Sequence, residues 1–95
     1  MPVPLRFKRE AARELAALPP EVQERFFLAF SELARAPTRY APAVRIKQMR
    51  GRPGFWRLSV GPWRGVYRFD GEAVVFYIFG HRKLVYTQFE PRSRA

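Results

Sequence analysis

Apolar positions in this chain change period once, helical through the first third and strand-like from about residue 55 onward. Ahead of both, Val3, Leu5 and Phe7 alternate with polar or basic neighbours, which predicts a short strand with one buried face. Pro2 and Pro4 confine that strand to an edge or to a late start. Ala11, Ala12, Leu15 and Leu18 then place an apolar stripe on a helix over residues 9–18, stopped by Pro19-Pro20. Pro20 also suits the first turn of a second helix, whose positive end Glu21 and Glu24 favour. Val22, Phe26, Phe30 and Leu33, widened by Phe27 and Ala29, make one apolar face over roughly four turns. This helix ends before Pro37, because a residue preceding proline is biased out of helical geometry. The two helices form an antiparallel hairpin.

A proline-punctuated loop, residues 36–43, leads into Val44, Ile46 and the run Lys47-Gln48-Met49-Arg50-Gly51. Trp56, Leu58 and Val60 alternate with Arg57 and Ser59, so an inward apolar triplet turns Arg57 and Ser59 outward together. Gly61-Pro62 supplies a turn. Next, Trp63, Tyr67 and Phe69 alternate with Arg64, Val66 and Arg68, which puts Arg64 and Arg68 on one face. Gly65 at an inward position marks a bulge or a close backbone approach. Asp70-Gly71 predicts a two-residue hairpin turn with positive φ at both positions. Residues 73–79 are apolar on both faces, as a central strand requires. Gly80 breaks that strand, and residues 81–89 read as a short final strand or a helical turn. The expected fold is α+β: an N-terminal strand, a two-helix hairpin and an antiparallel three- to four-stranded sheet packed on the helices, its other face carrying the arginines.

Ninety-five residues fit one domain spanning 1–95, with a frayed basic tail at about 91–95. The absence of cysteine excludes a disulfide framework and a thiolate metal site, and fits a reducing cytoplasm. No apolar run approaches the ~18 residues of a membrane span, and the N-terminus lacks a signal-like apolar core. Charge changes the picture most. The formal charge is +10, and 15 of the 18 basic residues are arginine. Residues 1–36 hold 6 basic and 5 acidic side chains, residues 37–95 hold 12 and 3, so the excess sits on the sheet half. Arginine there points to a polyanion, either nucleic acid or an acidic protein segment. Trp56, Trp63, Phe69, Phe76 and Tyr77 are read as core, and Phe55 and Tyr40 as the aromatics free for exposed contacts. Arg92 and Arg94 are read as a solvated tail and Lys83 as a surface charge.

Four blocks in order, Lys47-Gln48-Met49-Arg50-Gly51, Gly54-Phe55-Trp56-Arg57-Leu58, Gly61-Pro62-Trp63-Arg64-Gly65-Val66-Tyr67 and Gly80-His81-Arg82 with Val85-Tyr86, resemble the RelE/ParE superfamily of type II toxins. With the helical hairpin, the resemblance spans nearly all of residues 3–89. It implies a toxin neutralised by a cognate acidic antitoxin, whose amphipathic helix or strand lies over the basic face, in a monomer or a toxin–antitoxin heteromer. The RelE branch implies cleavage of messenger RNA on the ribosome without metal or cofactor. The ParE branch implies inhibition of DNA gyrase without chemistry, and a third class keeps only the fold and nucleic-acid binding. Carried over by position, Arg57, Arg64 and Arg82 are the implied active-site cations and Tyr86 the implied C-terminal tyrosine. Ser59 falls where some RelE-type members keep a second lysine, and Met49 replaces the leucine of the approach motif.

Cleavage by the neighbouring 2′-hydroxyl needs a proton acceptor, a donor to the leaving 5′-oxygen and cations around the phosphorane. Arginine serves the last need and not the first, since it stays protonated. The catalytic set is therefore read as Arg57, Arg64 and Arg82 on the phosphate, with His81 and Tyr86 moving protons. Lys47, Arg50, Arg52 and Arg68 are read as RNA-binding, and no metal ligands are assigned.

Overall fold

The computed structural model describes residues 2–38 and 45–94. Its elements are β1 (Leu5–Phe7), α1 (Arg9–Ala17), α2 (Pro20–Arg35), β2 (Arg45–Gln48), β3 (Phe55–Val60), β4 (Trp63–Phe69), β5 (Val74–His81) and α3 (Val85–Ser93). They form one five-stranded sheet in the order β1-β5-β4-β3-β2. The α+β architecture matches the sequence expectation, with two strands at the edges that the meander alone does not contain. β1 pairs in parallel with β5, Leu5 opposite Val74 and Phe7 opposite Phe76, so the N-terminal strand closes the sheet.

Prolines shape the hairpin as expected. α2 starts at Pro20, and the Gln23 side chain donates back to the Ala16 and Leu18 carbonyls at 3.0 and 2.7 Å, satisfying acceptors at the end of α1. Ala11, Leu15, Val22, Phe26, Ala29 and Leu33 bury their stripes against Ile46, Leu58, Val60, Tyr67, Val74, Phe76 and Phe79 of the sheet. The Tyr67 hydroxyl donates to the Pro37 carbonyl at 2.6 Å, which ties the end of the hairpin to the middle of the sheet. Burial drives the Tyr67 pKa well above the ordinary tyrosine value and keeps the hydroxyl a neutral donor.

The other sheet face, expected to carry the arginines, is also covered in part. The segment from His81 onward becomes α3, and its Val85 and Phe89 bury against Phe55, Val66 and Ile78 as a second, smaller core. Pro91 does not end α3 early; the carbonyl it leaves unbonded in the helix belongs to Thr87, an exposed residue. The Asp70-Gly71 connection also differs from the two-residue turn. Phe69 pairs with Val74, so the loop holds four residues, and only Gly71 has positive φ. Asp70 accepts the backbone N–H groups of Glu72 and Ala73 at 2.8 and 3.0 Å, a local turn that the side chain itself builds.

β5 contains a bulge. Val66 pairs with Ile78 and Tyr67 with Phe76, which leaves Tyr77 as an extra residue. Phe76 therefore faces the hairpin, Tyr77 and Ile78 both face α3, and Phe79 returns to the hairpin side. Gly65 lies opposite Phe79, and of the bulge or close approach expected at this position it shows the close approach, to the Phe76 and Phe79 rings, while the bulged residue is Tyr77 on β5.

Candidate functional site

Strand phase decides which cations meet. Trp56, Leu58 and Val60 pack toward the hairpin, so Phe55, Arg57 and Ser59 take the α3 side of β3. On β4 the same rule gives Arg64, Val66 and Arg68 to that side. Register then sets Arg57 between Lys47 of β2 and Val66 of β4, Ser59 between Arg45 and Arg64, and Arg68 beside Phe55. Cross-strand partners share a face, so Arg45, Lys47, Arg57, Arg64 and Arg68 form one diagonal cationic band.

At the middle of the band α3 delivers Tyr86. Arg57 Nη1 donates to the Tyr86 hydroxyl at 3.2 Å, with the guanidinium carbon 5.9 Å from the ring centre. Two adjoining depressions share Lys47 and Arg57. One, of about 320 Å³, is completed by Gln48, Met49, Arg50 and Tyr86, and the other, of about 210 Å³, by Arg45, Ile46 and Ser59. No acidic side chain lines either depression among the described residues. The Tyr86 oxygen accepts from Arg57 and keeps its own hydrogen to give away. A guanidinium fork and an ammonium group facing one cleft have the chemistry to take a phosphate, and the Tyr86 hydroxyl is a proton donor beside them.

The remaining predicted residues lie around this centre. Arg64 curls back over the β3–β4 turn, donating from Nη1 to the Gly61 and Trp63 carbonyls at 2.7 and 2.9 Å, and its buried Nε has no protein partner. Arg82 reaches the same turn through its backbone, whose N–H donates to the Pro62 carbonyl at 2.8 Å, and its side chain is exposed. Arg68 stands over the Phe55 ring at 5.9 Å, Arg50 is exposed at the rim, and Arg52 pairs with Glu90 of α3.

His81 is not brought to this centre. It pairs with Trp63, and the two rings meet edge to face at 5.4 Å on the hairpin side, opposite Arg57 and Tyr86. Its Nδ1 accepts the backbone N–H of Lys83 at 3.2 Å, so this nitrogen is occupied as an acceptor. The bulge at Tyr77 is the reason: strict alternation from Val75 would carry His81 to the α3 side, and the extra residue reverses it.

Two further expectations are corrected, for Phe55 and Arg92. Phe55 is buried, 8% exposed, between Tyr77 and Phe89 with ring centres 5.0 and 5.1 Å away, because α3 covers its side of the sheet. Tyr77 packs against that second core, as its reading as core expected, and Tyr40 lies outside the described residues. Arg92 is no solvated tail: it sits within α3 and forms a two-pronged pair with Glu14, Nη1 to Oε1 at 2.7 Å and Nη2 to Oε2 at 2.8 Å. Hydrogen bonding to Glu14 raises the Arg92 pKa further. Sequence reasoning passed over Arg45, although its spacing from Lys47 places both on one side of Ile46.

Among the described residues no group of three or more His, Cys, Asp or Glu is placed to hold a metal ion, and no helix is long and apolar enough to cross a membrane.

The family described as the ParE toxin of the type II toxin-antitoxin system parDE matches residues 5–86. No curated protein sequence matches. Among solved structures, the RelBE2 toxin-antitoxin complex of Mycobacterium tuberculosis is 31% identical over 86% of this chain and 100% of that one, with a TM-score of 0.71. A mutant of the Escherichia coli toxin RelE in the free state superimposes with a TM-score of 0.78 at 21% identity, over 98% of this chain and 95% of that one. The RelB-RelE antitoxin-toxin complex of Methanococcus jannaschii gives 0.72 at 23% identity, over 88% and 98%. The latter two likenesses speak to the fold, which is the RelE fold. With the family match covering the sheet, the hairpin and the start of α3, this chain belongs to the ParE toxin family of type II toxin-antitoxin systems, within the RelE/ParE superfamily and near RelE.

Proposed function

We propose that this toxin cuts messenger RNA on the ribosome, by attack of a 2′-hydroxyl on its adjacent phosphate. The observation that carries the reading is the Arg57–Tyr86 contact inside a cleft lined by Lys47 and Arg50 and free of carboxylates. A new bond forms from the 2′-oxygen to phosphorus while the bond to the 5′-oxygen breaks, leaving a 2′,3′-cyclic phosphate and a 5′-hydroxyl. Arg57 and Lys47 neutralise the phosphorane, and Tyr86 protonates the departing 5′-oxygen. The proton released by the 2′-hydroxyl passes to water in the open cleft. Arg64, Arg82, Arg50 and Arg68 hold the flanking phosphates along the band. His81 has no proton-transfer role in this reading, because it faces the hairpin side.

The same face suits an acidic antitoxin, since a carboxylate-rich segment would meet the band with complementary charge. Two of the similar solved structures are complexes of toxin with antitoxin, which supports this partner. A second reading is inhibition of DNA gyrase without chemistry. It is favoured by Ser59, which supplies no cation beside Arg57, and by the placement of His81 away from the cleft.

Purified toxin added to ribosomes programmed with an end-labelled message tests both. Cuts bearing a 2′,3′-cyclic phosphate, lost in Arg57→Ala, are the expected result. Intact messages together with blocked supercoiling by gyrase would sink the nuclease reading in favour of the second.

A further inference from the structure

We infer that Glu14 and Arg92, neither of which touches the cleft, are positioning residues that set Tyr86 against Arg57. The inference rests on the reading of Tyr86 as the proton donor. Tyr86 lies in the first turn of α3; its ring rests against the second core, and Arg57 is the hydrogen-bond partner of its hydroxyl. Its orientation therefore depends on how α3 is seated on the sheet. Val85 and Phe89 seat the helix by apolar burial, which resists lifting but leaves sliding and rolling lightly opposed. Direction must come from polar contacts with fixed geometry.

Arg92 supplies them. Its fork engages both oxygens of Glu14 on α1, and Nη1 also donates to the Tyr77 carbonyl at 3.2 Å, at the bulge of β5. Glu14 Oε1 in turn accepts the Phe79 backbone N–H at 3.4 Å. One ion pair thus joins the C-terminal turn of α3 to α1 and to β5 at the bulge and just beyond it. The two side chains keep only 22% and 25% of their surface exposed, so water screens the pair less than an open surface bridge. Glu10 Oε2, 3.4 Å from Arg92 Nη2, is mostly exposed and adds little. From the opposite side Arg52, in the β2–β3 connection, pairs with Glu90. Arg92 and Glu90 therefore hold the same end of α3 from two directions, with Tyr86 at the other end.

The planar fork matters more than the charge. A lysine at position 92 would keep a cation near Glu14 but could not span both oxygens and the Tyr77 carbonyl in one plane. A misplacement of about 1 Å at the reacting group lowers rates by on the order of a hundredfold.

The test uses the full chain with ring-labelled tyrosine, observed by NMR in the parent, Arg92→Lys, Arg92→Ala, Glu14→Gln and, as the reference for a lost contact, Arg57→Ala. The Tyr86 ring signal is expected to move in the Arg92 and Glu14 variants toward its position in Arg57→Ala, while the backbone signals of β2 to β5 stay in place. In the cleavage assay Arg92→Lys should lose tenfold to a hundredfold in kcat with KM within about threefold, and adding Tyr86→Phe should lower it little further. An unchanged Tyr86 signal in Arg92→Lys overturns the inference, even if Arg92→Ala fails to fold. If the parent cuts no RNA, the proposed function fails while the ring signal still decides the role of the pair.

Discussion

Gly65→Ala tests the packing beneath the basic band with a single methyl group. Gly65 has ordinary backbone geometry, so alanine strains no dihedral, and any cost is steric. A Cβ there would lie 2.7 Å from Phe79 Cε1, 2.9 Å from Phe76 Cε1 and 3.0 Å from Phe79 Cδ1, inside van der Waals contact. Neither ring can yield easily. They stack on each other at 4.8 Å, Phe79 is held edge-on by Phe26 at 5.2 Å, and Phe76 is wedged by Tyr67 and Phe30, both at 5.3 Å. Overpacking of this kind costs about 1–3 kcal/mol, and the stiffer unfolded chain offsets about 0.4–1 kcal/mol of it. A net loss of about 1–2 kcal/mol follows, or roughly 4–8 °C in Tm for each kcal/mol in a domain this small. Gly80→Ala is the control, because its Cβ would meet Val85 at an ordinary 3.7 Å; it should be neutral or slightly stabilising. Urea unfolding of parent and variants gives the comparison, with equal m-values required for a two-state reading. If Gly65→Ala proved as stable as Gly80→Ala, the claim that the bulge packs two phenylalanines over a glycine would be wrong.

Arg57→Ala should weaken binding of single-stranded RNA and flatten the slope of log affinity against log salt by about 0.7, read by fluorescence titration across salt. Tyr67 keeps its proton in the folded state where an exposed tyrosine would release it. Stability is therefore full below the ordinary tyrosine range, about pH 10, and falls as pH rises above it. Tyr67→Phe should remove that alkaline limb in denaturation at a series of pH values, while costing about 1–3 kcal/mol at neutral pH by orphaning the Pro37 carbonyl. Asp70 behaves oppositely. The Glu72 and Ala73 N–H groups lower its pKa, so its contribution is present above the ordinary carboxylate range and lost as pH falls through the lowered value. Asp70→Ala should shrink the acid-induced loss of stability measured by thermal unfolding.

The hairpin and the meander were legible because Phe26, Leu33, Leu58 and Tyr67 obey simple periods and Pro20 and Gly61 mark the breaks between elements. Gly61, with φ of +57° before Pro62, makes the two-residue turn that the dipeptide suggested. The shared face of Arg57, Arg64 and Arg68 followed from alternation alone. What alternation could not reveal was the slip at Tyr77. Residues 74–79 are apolar throughout, so no polar side chain records the change of phase, and proton chemistry alone, which singled out His81, says nothing of the face it takes. Phe55 was misjudged for a related reason: it shares the arginine side, and α3, whose sequence is weakly amphipathic and contains Pro91, gives little warning that it will cover that end. Arg92 carried no local signal, since its partner Glu14 lies far away in sequence on α1.

The most direct measurement is the map of message 5′ ends in cells during the minutes after this toxin is induced without a partner, for the parent, Arg57→Ala and Tyr86→Phe. New ends inside translated codons are expected for the parent, and strong loss of them in both variants at equal protein level. Growth arrest with intact messages, or cleavage that persists in Arg57→Ala, would contradict the claim that the Arg57–Tyr86 cleft is the site of RNA cleavage.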